Sequence, residues 1–165
     1  MPCTNPWRRL SSRVVYENPW ITVREDEVVR PDGAPGIYGV VETRPATGVI
    51  ALTGEDEVYL VGQYRYALET YSWEIVEGGA EPGESPLEAC RRELREEAGL
   101  AADHWARLGG EIHLTNCHSS ERAHLFVATG LRHVGAAPEG TEQLKVRKMP
   151  LAAALAMVDR GEIQD

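Results

Sequence analysis

One glutamate-rich stretch decides the fold, residues 78–100, which read "GGAEPGESPLEACRRELREEAGL". Within it, Ser85 is followed by Pro86 and by Glu88, and this order is typical of a helix that begins with a capping box. Gly99 supplies the stop signal for the same helix. The stretch therefore predicts one helix over residues 86–98, preceded by a glycine-containing loop.

The predicted helix has an apolar stripe and an acidic edge. The stripe consists of residues spaced three or four positions apart, namely Leu87, Cys90, Leu94 and Ala98. Glu93, Glu96 and Glu97 share a neighbouring sector, since their spacing of three and four positions places them on one face. The helix is thus expected to bury one side and to present three carboxylates together at the border of that side.

A purely solvated helix explains only part of this charge pattern. Ion pairs four positions apart, Glu88 with Arg92 and Arg92 with Glu96, each contribute about 0.2–0.5 kcal/mol. Glu93 and Glu97, however, repel one another, and both lie toward the helix C-terminus, where the helix dipole disfavours anions. Carboxylates on one face are ligands suited to Mg²⁺ or Mn²⁺. The sequence therefore predicts a divalent-cation site at this edge.

The remaining sequence predicts an α+β domain. Strand-like segments occur on both sides of the glutamate-rich helix, and a second amphipathic helix is predicted over residues 150–161. The predicted strands lie within 13–31, which includes a turn at Asn18-Pro19, and at 36–44, 48–53, 57–66, 71–77, 107–114, 121–129 and 142–148. We expect the two helices to pack on a mixed sheet.

Composition narrows the range of functions. The 165 residues suit a single domain, 1–165, and the formal net charge of -9 argues against binding a nucleic-acid backbone. No apolar run approaches the roughly 18–20 residues of a membrane span, and the amino-terminal residues contain no secretory signal. Three widely spaced cysteines fit neither a disulfide framework nor a metal site. We expect a soluble protein of the reducing cytoplasm.

The glutamate-rich stretch resembles the Nudix box, G-x5-E-x7-R-E-U-x-E-E-x-G-U, where U is aliphatic. All nine defined positions are filled, by Gly78, Glu84, Arg92, Glu93, Leu94, Glu96, Glu97, Gly99 and Leu100. The predicted strand order is also similar to the Nudix α/β/α sandwich, so the resemblance extends over nearly the whole chain. It implies hydrolysis of a nucleoside diphosphate linked to another group.

The resemblance also implies roles for individual residues. Glu93, Glu96 and Glu97 would hold Mg²⁺ or Mn²⁺ together with the backbone carbonyl of Glu77. Catalysis would depend on Glu93 and on Arg92, which would orient this neighbouring glutamate. The box residues Gly78, Glu84 and Gly99 would have structural roles, with Glu84 supporting the loop.

Three features resemble the nucleoside diphosphate sugar branch, which includes ADP-ribose and GDP-mannose pyrophosphatases. "QYRYALETYSWEIVEGG", residues 63–79, makes Arg65 and Glu74 candidate substrate contacts. "NCHSSERAHLFVAT", residues 116–129, places Glu121 where relatives carry a catalytic glutamate. The strands of residues 1–44 resemble an arm that joins two subunits into a homodimer, and there Trp20 would stack on a base.

Other assignments stay open at this point. In the loop at 116–121, Ser120 replaces an aspartate of many relatives, and Cys117 and His118 replace their Pro-Gly. The loss of Pro-Gly weakens an assignment to ADP-ribose. A Nudix enzyme acting on nucleoside triphosphates or dinucleoside polyphosphates is one alternative. A non-catalytic nucleotide-sugar-binding module is another, although such a module is expected to lose box glutamates.

Overall fold

The computed structural model describes residues 4–135 and 144–164. Contacts between Cα atoms divide these residues into two compact units. The first contains residues 4–45 and 112–122, and the second contains residues 46–111, 123–135 and 144–164.

The first unit contains a three-stranded antiparallel sheet in the order β1-β2-β3. Its strands are β1 (Arg8–Glu17), β2 (Ile21–Val29) and β3 (Pro35–Thr43). The first turn forms because Asn18 Oδ1 accepts hydrogen bonds from the amides of Trp20 and Ile21. The second turn contains Gly33 at a φ of +84°, which a residue with a side chain rarely adopts. The turn predicted at Asn18-Pro19 is confirmed.

The second unit contains most residues of a seven-stranded mixed sheet. The strands are β4 (Ala46–Leu52), β5 (Glu57–Arg65), β6 (Thr70–Glu74), β7 (Val76–Gly79), β8 (Leu100–His113), β9 (Arg122–His133) and β10 (Lys145–Pro150). The order is β10-β5-β4-β9-β8, with β6 on β5 and β7 on β4. β4 and β9 are parallel, whereas β5 is antiparallel to β4, β6 and β10. A short 3-10 helix, Tyr66–Leu68, joins β5 to β6.

Neighbouring residues of β5 belong to two separate apolar clusters. Val61 belongs to the cluster that includes Cys90 and Leu94 of helix α1 (Pro86–Ala98). Its neighbour Leu60 belongs to the cluster that includes Met157 of helix α2 (Leu151–Asp159). Since successive residues of a strand point to opposite faces, α1 and α2 cover opposite faces of the sheet. The predicted α+β sandwich around a mixed sheet is confirmed.

Cys90 of α1 is a buried residue of the core. Burial raises the pKa of the Cys90 thiol to about 11, so this residue behaves as a small core side chain. Neither of the two helices in the described residues has the length and apolar composition that a bilayer-spanning helix requires.

The ends of α1 follow the signals in the sequence. The Ser85 side chain accepts a hydrogen bond from the amide of Glu88, whose carboxylate accepts one from the amide of Ser85, so the predicted capping box is present. Gly99 ends the helix at a φ of 65°. The predicted ion pair between Glu88 and Arg92 was wrong for the described residues, because the Glu88 carboxylate closes the capping box instead.

The loop before α1 is braced by Glu84. Its carboxylate accepts hydrogen bonds from Arg92 Nε and Nη2 at 3.1 Å and 3.0 Å, and from the Glu81 amide at 2.9 Å. Arg92 Nη2 also donates to the carbonyl of Gly79 at 3.0 Å. Loop and helix are therefore held together through one guanidinium group.

Several strand boundaries differ from the prediction. Residues 71–77, predicted as one strand, form β6 paired with β5 and β7 paired with β4. Alternation continues across Ile75, so the pattern of side chains contains no sign of the change of partner. β8 begins at Leu100, directly after the helix, which is earlier than predicted. Of the strand predicted at 142–148, residues 142 and 143 lie outside the described residues, and β10 extends to Pro150.

Replacing Gly99 with alanine should lower the free energy of unfolding by about 1–2 kcal/mol, because a Cβ atom is unfavourable at a left-handed helix end. Gly54→Ala is the control, since an added Cβ meets nothing within 4 Å there and the φ of Gly54 is not left-handed. Urea unfolding of both variants measures the difference. Equal stability of the two variants would contradict this account of the helix end.

Glu84→Gln should reduce the pH dependence of stability in acid. Hydrogen bonding to Arg92 lowers the pKa of Glu84 below the ordinary 4.5. The stabilisation is therefore complete above pH 4.5 and is lost as the pH falls through the lowered pKa. At pH 7 the variant should be less stable by about 1–2 kcal/mol, and this difference should shrink below pH 4.5.

Urea unfolding at several pH values, with Glu55→Gln as the control at an exposed hairpin tip, provides the measurement. A stability difference between wild type and Glu84→Gln that stays constant down to strong acid would contradict the assigned role of the Arg92 pair.

Candidate active site

Three glutamates of α1 form the acidic edge that the sequence predicts. The side chains of Glu93 and Glu96 are 12% and 28% exposed, whereas Glu97 is 3% exposed as a whole residue. Their helix is fixed to the sheet by the cluster containing Cys90 and Leu94. The backbone that carries the three carboxylates is therefore rigidly packed.

Arg92 connects two of these glutamates to one another. Its Nη1 atom donates to Glu93 Oε1 at 2.7 Å and to Glu96 Oε2 at 3.1 Å. The predicted pair of Arg92 with Glu96 is thus confirmed. Hydrogen bonding to Glu84 is the largest cause of a raised pKa for Arg92, so the guanidinium stays charged at every relevant pH. One permanent cation orients both carboxylates.

Glu97 lies against the end of β7. The amide of Glu77 donates to Glu97 Oε2 at 3.2 Å. A buried carboxylate is unfavourable unless it is hydrogen-bonded or paired with a cation. This contact ties the backbone of Glu77 to the same helix that carries Glu93 and Glu96.

Gly78 is required by the position of Glu93. A Cβ atom at residue 78 would lie 2.1 Å from Glu93 Oε1 and 2.3 Å from its Cδ, which is far inside any allowed contact. The absence of a side chain on Gly78 therefore makes the space that the Glu93 carboxylate occupies.

The donor set suits a hard divalent cation. Carboxylate and carbonyl oxygens are the ligands of Mg²⁺ and Mn²⁺, and α1 carries three carboxylates whose helix packs against the backbone of Glu77. Among the described residues, however, no group of three potential ligand side chains is close enough to enclose an ion. Glu93 and Glu96 are turned toward Arg92 instead. Ligation by Glu93, Glu96, Glu97 and the Glu77 carbonyl stays a prediction.

Arg65 and Glu74 form a second charged group in the same unit. Arg65 Nε and Nη2 bond Glu74 Oε2 and Oε1 at 3.0 Å and 2.8 Å, and Nη2 also contacts the side chain of Glu77. Gln63 donates to Glu74 at 2.8 Å. Glu74 is 1% exposed, so its carboxylate holds Arg65 rather than facing solvent. The predicted contacts of Arg65 and Glu74 with substrate stay predictions.

Trp20 and Glu121 belong to the first unit. Trp20 follows the turn at Asn18 and is 73% exposed, so its ring is accessible. Glu121 is half-buried, and its amide donates to the hydroxyl of Ser119 at 3.0 Å. The base-stacking and catalytic roles predicted for these two residues stay predictions.

Sequence reasoning missed Thr47 and Gln63. Gln63 begins the segment "QYR", and its side-chain amide holds Glu74 by a hydrogen bond. Thr47 precedes the strand predicted at 48–53, yet it is buried and its hydroxyl donates to the carbonyl of Gly78 at 3.1 Å. A polar β-branched residue at the start of an apolar strand was the available signal.

Comparison with known families gives two matches that together cover nearly the whole chain. The nucleoside diphosphate sugar hydrolase N-terminal domain matches residues 7–41, and the NUDIX domain matches residues 42–164.

Curated relatives match over most of their lengths. An "ADP-ribose pyrophosphatase" of Mycobacterium tuberculosis is 34% identical over 158 residues, which is 93% of this chain and 75% of that protein. An "ADP-ribose pyrophosphatase" of Bacillus subtilis is 27% identical over 96% of this chain and 86% of that protein. A "Methanol dehydrogenase activator" of Bacillus methanolicus is 28% identical over the same shares of the two chains.

A solved structure supports the fold. The chain matches the "Crystal structure of ADP compounds hydrolase" with a TM-score of 0.86 and 23% identity, covering 100% of this chain and 89% of the other. The complete box at residues 78–100 and the sandwich fold agree with these matches. The chain therefore belongs to the Nudix family and is a Nudix pyrophosphohydrolase similar to the nucleoside diphosphate sugar branch.

Proposed function

We propose that the protein hydrolyses the pyrophosphate bond of a nucleoside diphosphate sugar of the ADP-ribose or GDP-mannose type, giving a nucleoside monophosphate and a sugar phosphate. One observation carries this proposal: Arg92 bonds Glu93 and Glu96 on the helix whose Glu97 contacts the backbone of Glu77. The names of two relatives, both ADP-ribose pyrophosphatases, support this class of substrate.

Mg²⁺ or Mn²⁺ is the proposed cofactor, held by Glu93, Glu96, Glu97 and the carbonyl of Glu77. When bound, it would neutralise diphosphate charge and lower the pKa of a water molecule. The chain's own net charge of -9 opposes the approach of a diphosphate, which makes such neutralisation necessary for binding as well.

The chain itself supplies orientation and proton transfer. Arg92 fixes the side chain of Glu93, and Arg65, held by the buried carboxylate of Glu74, presents a guanidinium group to the substrate. Trp20 would stack on the base. In hydrolysis, a water oxygen bonds to phosphorus, the bridging P–O bond breaks, and Glu121 accepts the proton of the attacking water.

The amino-terminal strands are proposed to join two copies of the chain into a homodimer in the cytoplasm. Every residue of β1 is exposed, and the exposed residues of that strand include Leu10, Val14, Val15 and Tyr16. A solvent-facing strand of this composition favours association with another protein surface.

A substrate panel tests the proposal. Purified protein with Mg²⁺ is incubated with ADP-ribose, GDP-mannose, ATP and a dinucleoside polyphosphate, and the products are separated by chromatography. We expect a nucleoside monophosphate and a sugar phosphate from one of the first two. Preferential cleavage of ATP or of the dinucleoside polyphosphate would replace the proposed substrate class, and no cleavage of any compound would favour a binding module.

Glu97→Gln should lower kcat by at least about a hundredfold, because a neutral amide is a poor ligand for a divalent cation while its oxygen still accepts from the Glu77 amide. Glu88→Gln is the matched control on the same helix, since glutamine also completes a capping box. Steady-state kinetics on the preferred substrate, with circular dichroism to check folding, measures both. Near-normal turnover by Glu97→Gln would remove it from the ligand set.

Glu121→Gln should lower kcat by about 10²–10⁴-fold and leave KM nearly unchanged, because a general base acts on the reaction step rather than on binding. Glu17→Gln, also in the first unit, serves as the control. The pH profile of kcat is the second measurement, since loss of the base should remove its acid limb. An unchanged rate would assign the base to a box glutamate instead.

A further inference from the structure

Thr47 makes an unusual contact for a residue of the sheet. It is 2% exposed, stands opposite Gly78 in the pairing of β4 with β7, and donates its hydroxyl to the Gly78 carbonyl at 3.1 Å. A buried hydroxyl must find a hydrogen-bond partner, whereas valine has the same shape and no such need. The Thr47 hydroxyl also hydrogen-bonds the Cys90 thiol, and through its contact with Gly78 it gives the Gly78 carbonyl a fixed donor that valine would lack.

Gly78 is a residue of the box whose backbone benefits from an external restraint. The Glu93 carboxylate occupies the space of a Cβ atom there, so no residue with a side chain fits. Glycine, however, has the greatest backbone freedom of all residues. The pair Thr47–Gly78 is also next to the end of its ladder, which stops at Ala46 and Gly79, and ladder ends open most easily.

The carbonyl of Glu77 lies between two restrained groups of the backbone. On its amino-terminal side, the Glu77 amide donates to Glu97 Oε2 at 3.2 Å. On its carboxyl-terminal side, the Gly78 carbonyl accepts from Thr47. The orientation of the intervening peptide group depends on both contacts, because each limits one of the torsions that turn it.

We propose that Thr47 is a positioning residue for the metal site: its hydroxyl fixes the Gly78 carbonyl and, through it, the orientation of the Glu77 carbonyl. The inference rests on the proposed function, in which that carbonyl is a metal ligand. Groups that orient a ligand without touching the metal commonly alter metal affinity by about 10–100-fold when they are removed.

The test uses substitutions that separate the hydroxyl from the packing. Thr47→Val removes the hydroxyl and keeps the volume, Thr47→Ala removes both, and Thr47→Ser keeps the hydroxyl. Thr53→Val is the matched control beyond the other end of β4, where the Thr53 hydroxyl accepts from the amides of Glu55 and Glu57 at 3.2 Å and contacts no box residue.

Mn²⁺ binding to the substrate-free protein is measured by calorimetry, with thermal unfolding and steady-state kinetics alongside. Thr47→Val and Thr47→Ala should raise the Mn²⁺ dissociation constant about tenfold, while Thr47→Ser stays within about twofold of wild type. The kcat of both hydroxyl-free variants should recover at high metal concentration. Thr53→Val should lose thermal stability and bind Mn²⁺ as wild type does.

Two outcomes overturn the inference in distinguishable ways. If wild type binds Mn²⁺, Glu97→Gln does not, and Thr47→Val and Thr47→Ala bind it as wild type does, then the role of Thr47 fails and the proposed function stands. If wild type binds no Mn²⁺ and cleaves no diphosphate, the proposed function fails and this inference fails with it.

Discussion

The charge of Arg92 is the constraint on which the arrangement of the box depends. Its three nitrogen atoms contact Glu84 and the Gly79 carbonyl in the loop, and Glu93 and Glu96 on the helix. A planar guanidinium can reach so many acceptors because its five N–H groups point outward in fixed directions. Three carboxylates nevertheless share a single positive charge. The negative charge that remains would favour the binding of the proposed divalent cation.

A second arginine, Arg65, also holds more than one carboxylate. Arg65 bonds Glu74 and Glu77, which stand on different strands, β6 and β7. Glu77 therefore connects the Arg65 group to α1, since its side chain contacts Arg65 and its amide donates to Glu97 on the helix. The position of Glu77 is determined jointly by the residues proposed to meet the substrate and by those proposed to hold the metal.

Local signals predicted most of the fold, and long-range contacts account for what was missed. The ends of α1 depend on Ser85, Glu88 and Gly99, which act within one turn of the helix, so the sequence predicts them well. The alternation of residues 71–77 predicts a strand but not its partners. The same pattern of buried and exposed side chains suits pairing with β5, as in β6, and pairing with β4, as in β7. Likewise, the spacing of Glu97 places it on the acidic edge, but only the packing of β7 against α1 shows that it is buried.

The change of strand partner at Ile75 has a consequence for how this sequence can vary in length. Glu74 ends a strand that pairs with β5, and Val76 begins one that pairs with β4, with a single residue between them. An inserted or deleted residue here would turn the following side chains of β7 to the opposite face of the sheet. Glu74 and Glu77 would then lose one or the other of their shared contacts with Arg65. The number of residues between Glu74 and Glu77 is therefore constrained, whereas the exposed hairpin tip at residues 54–56 can tolerate insertions.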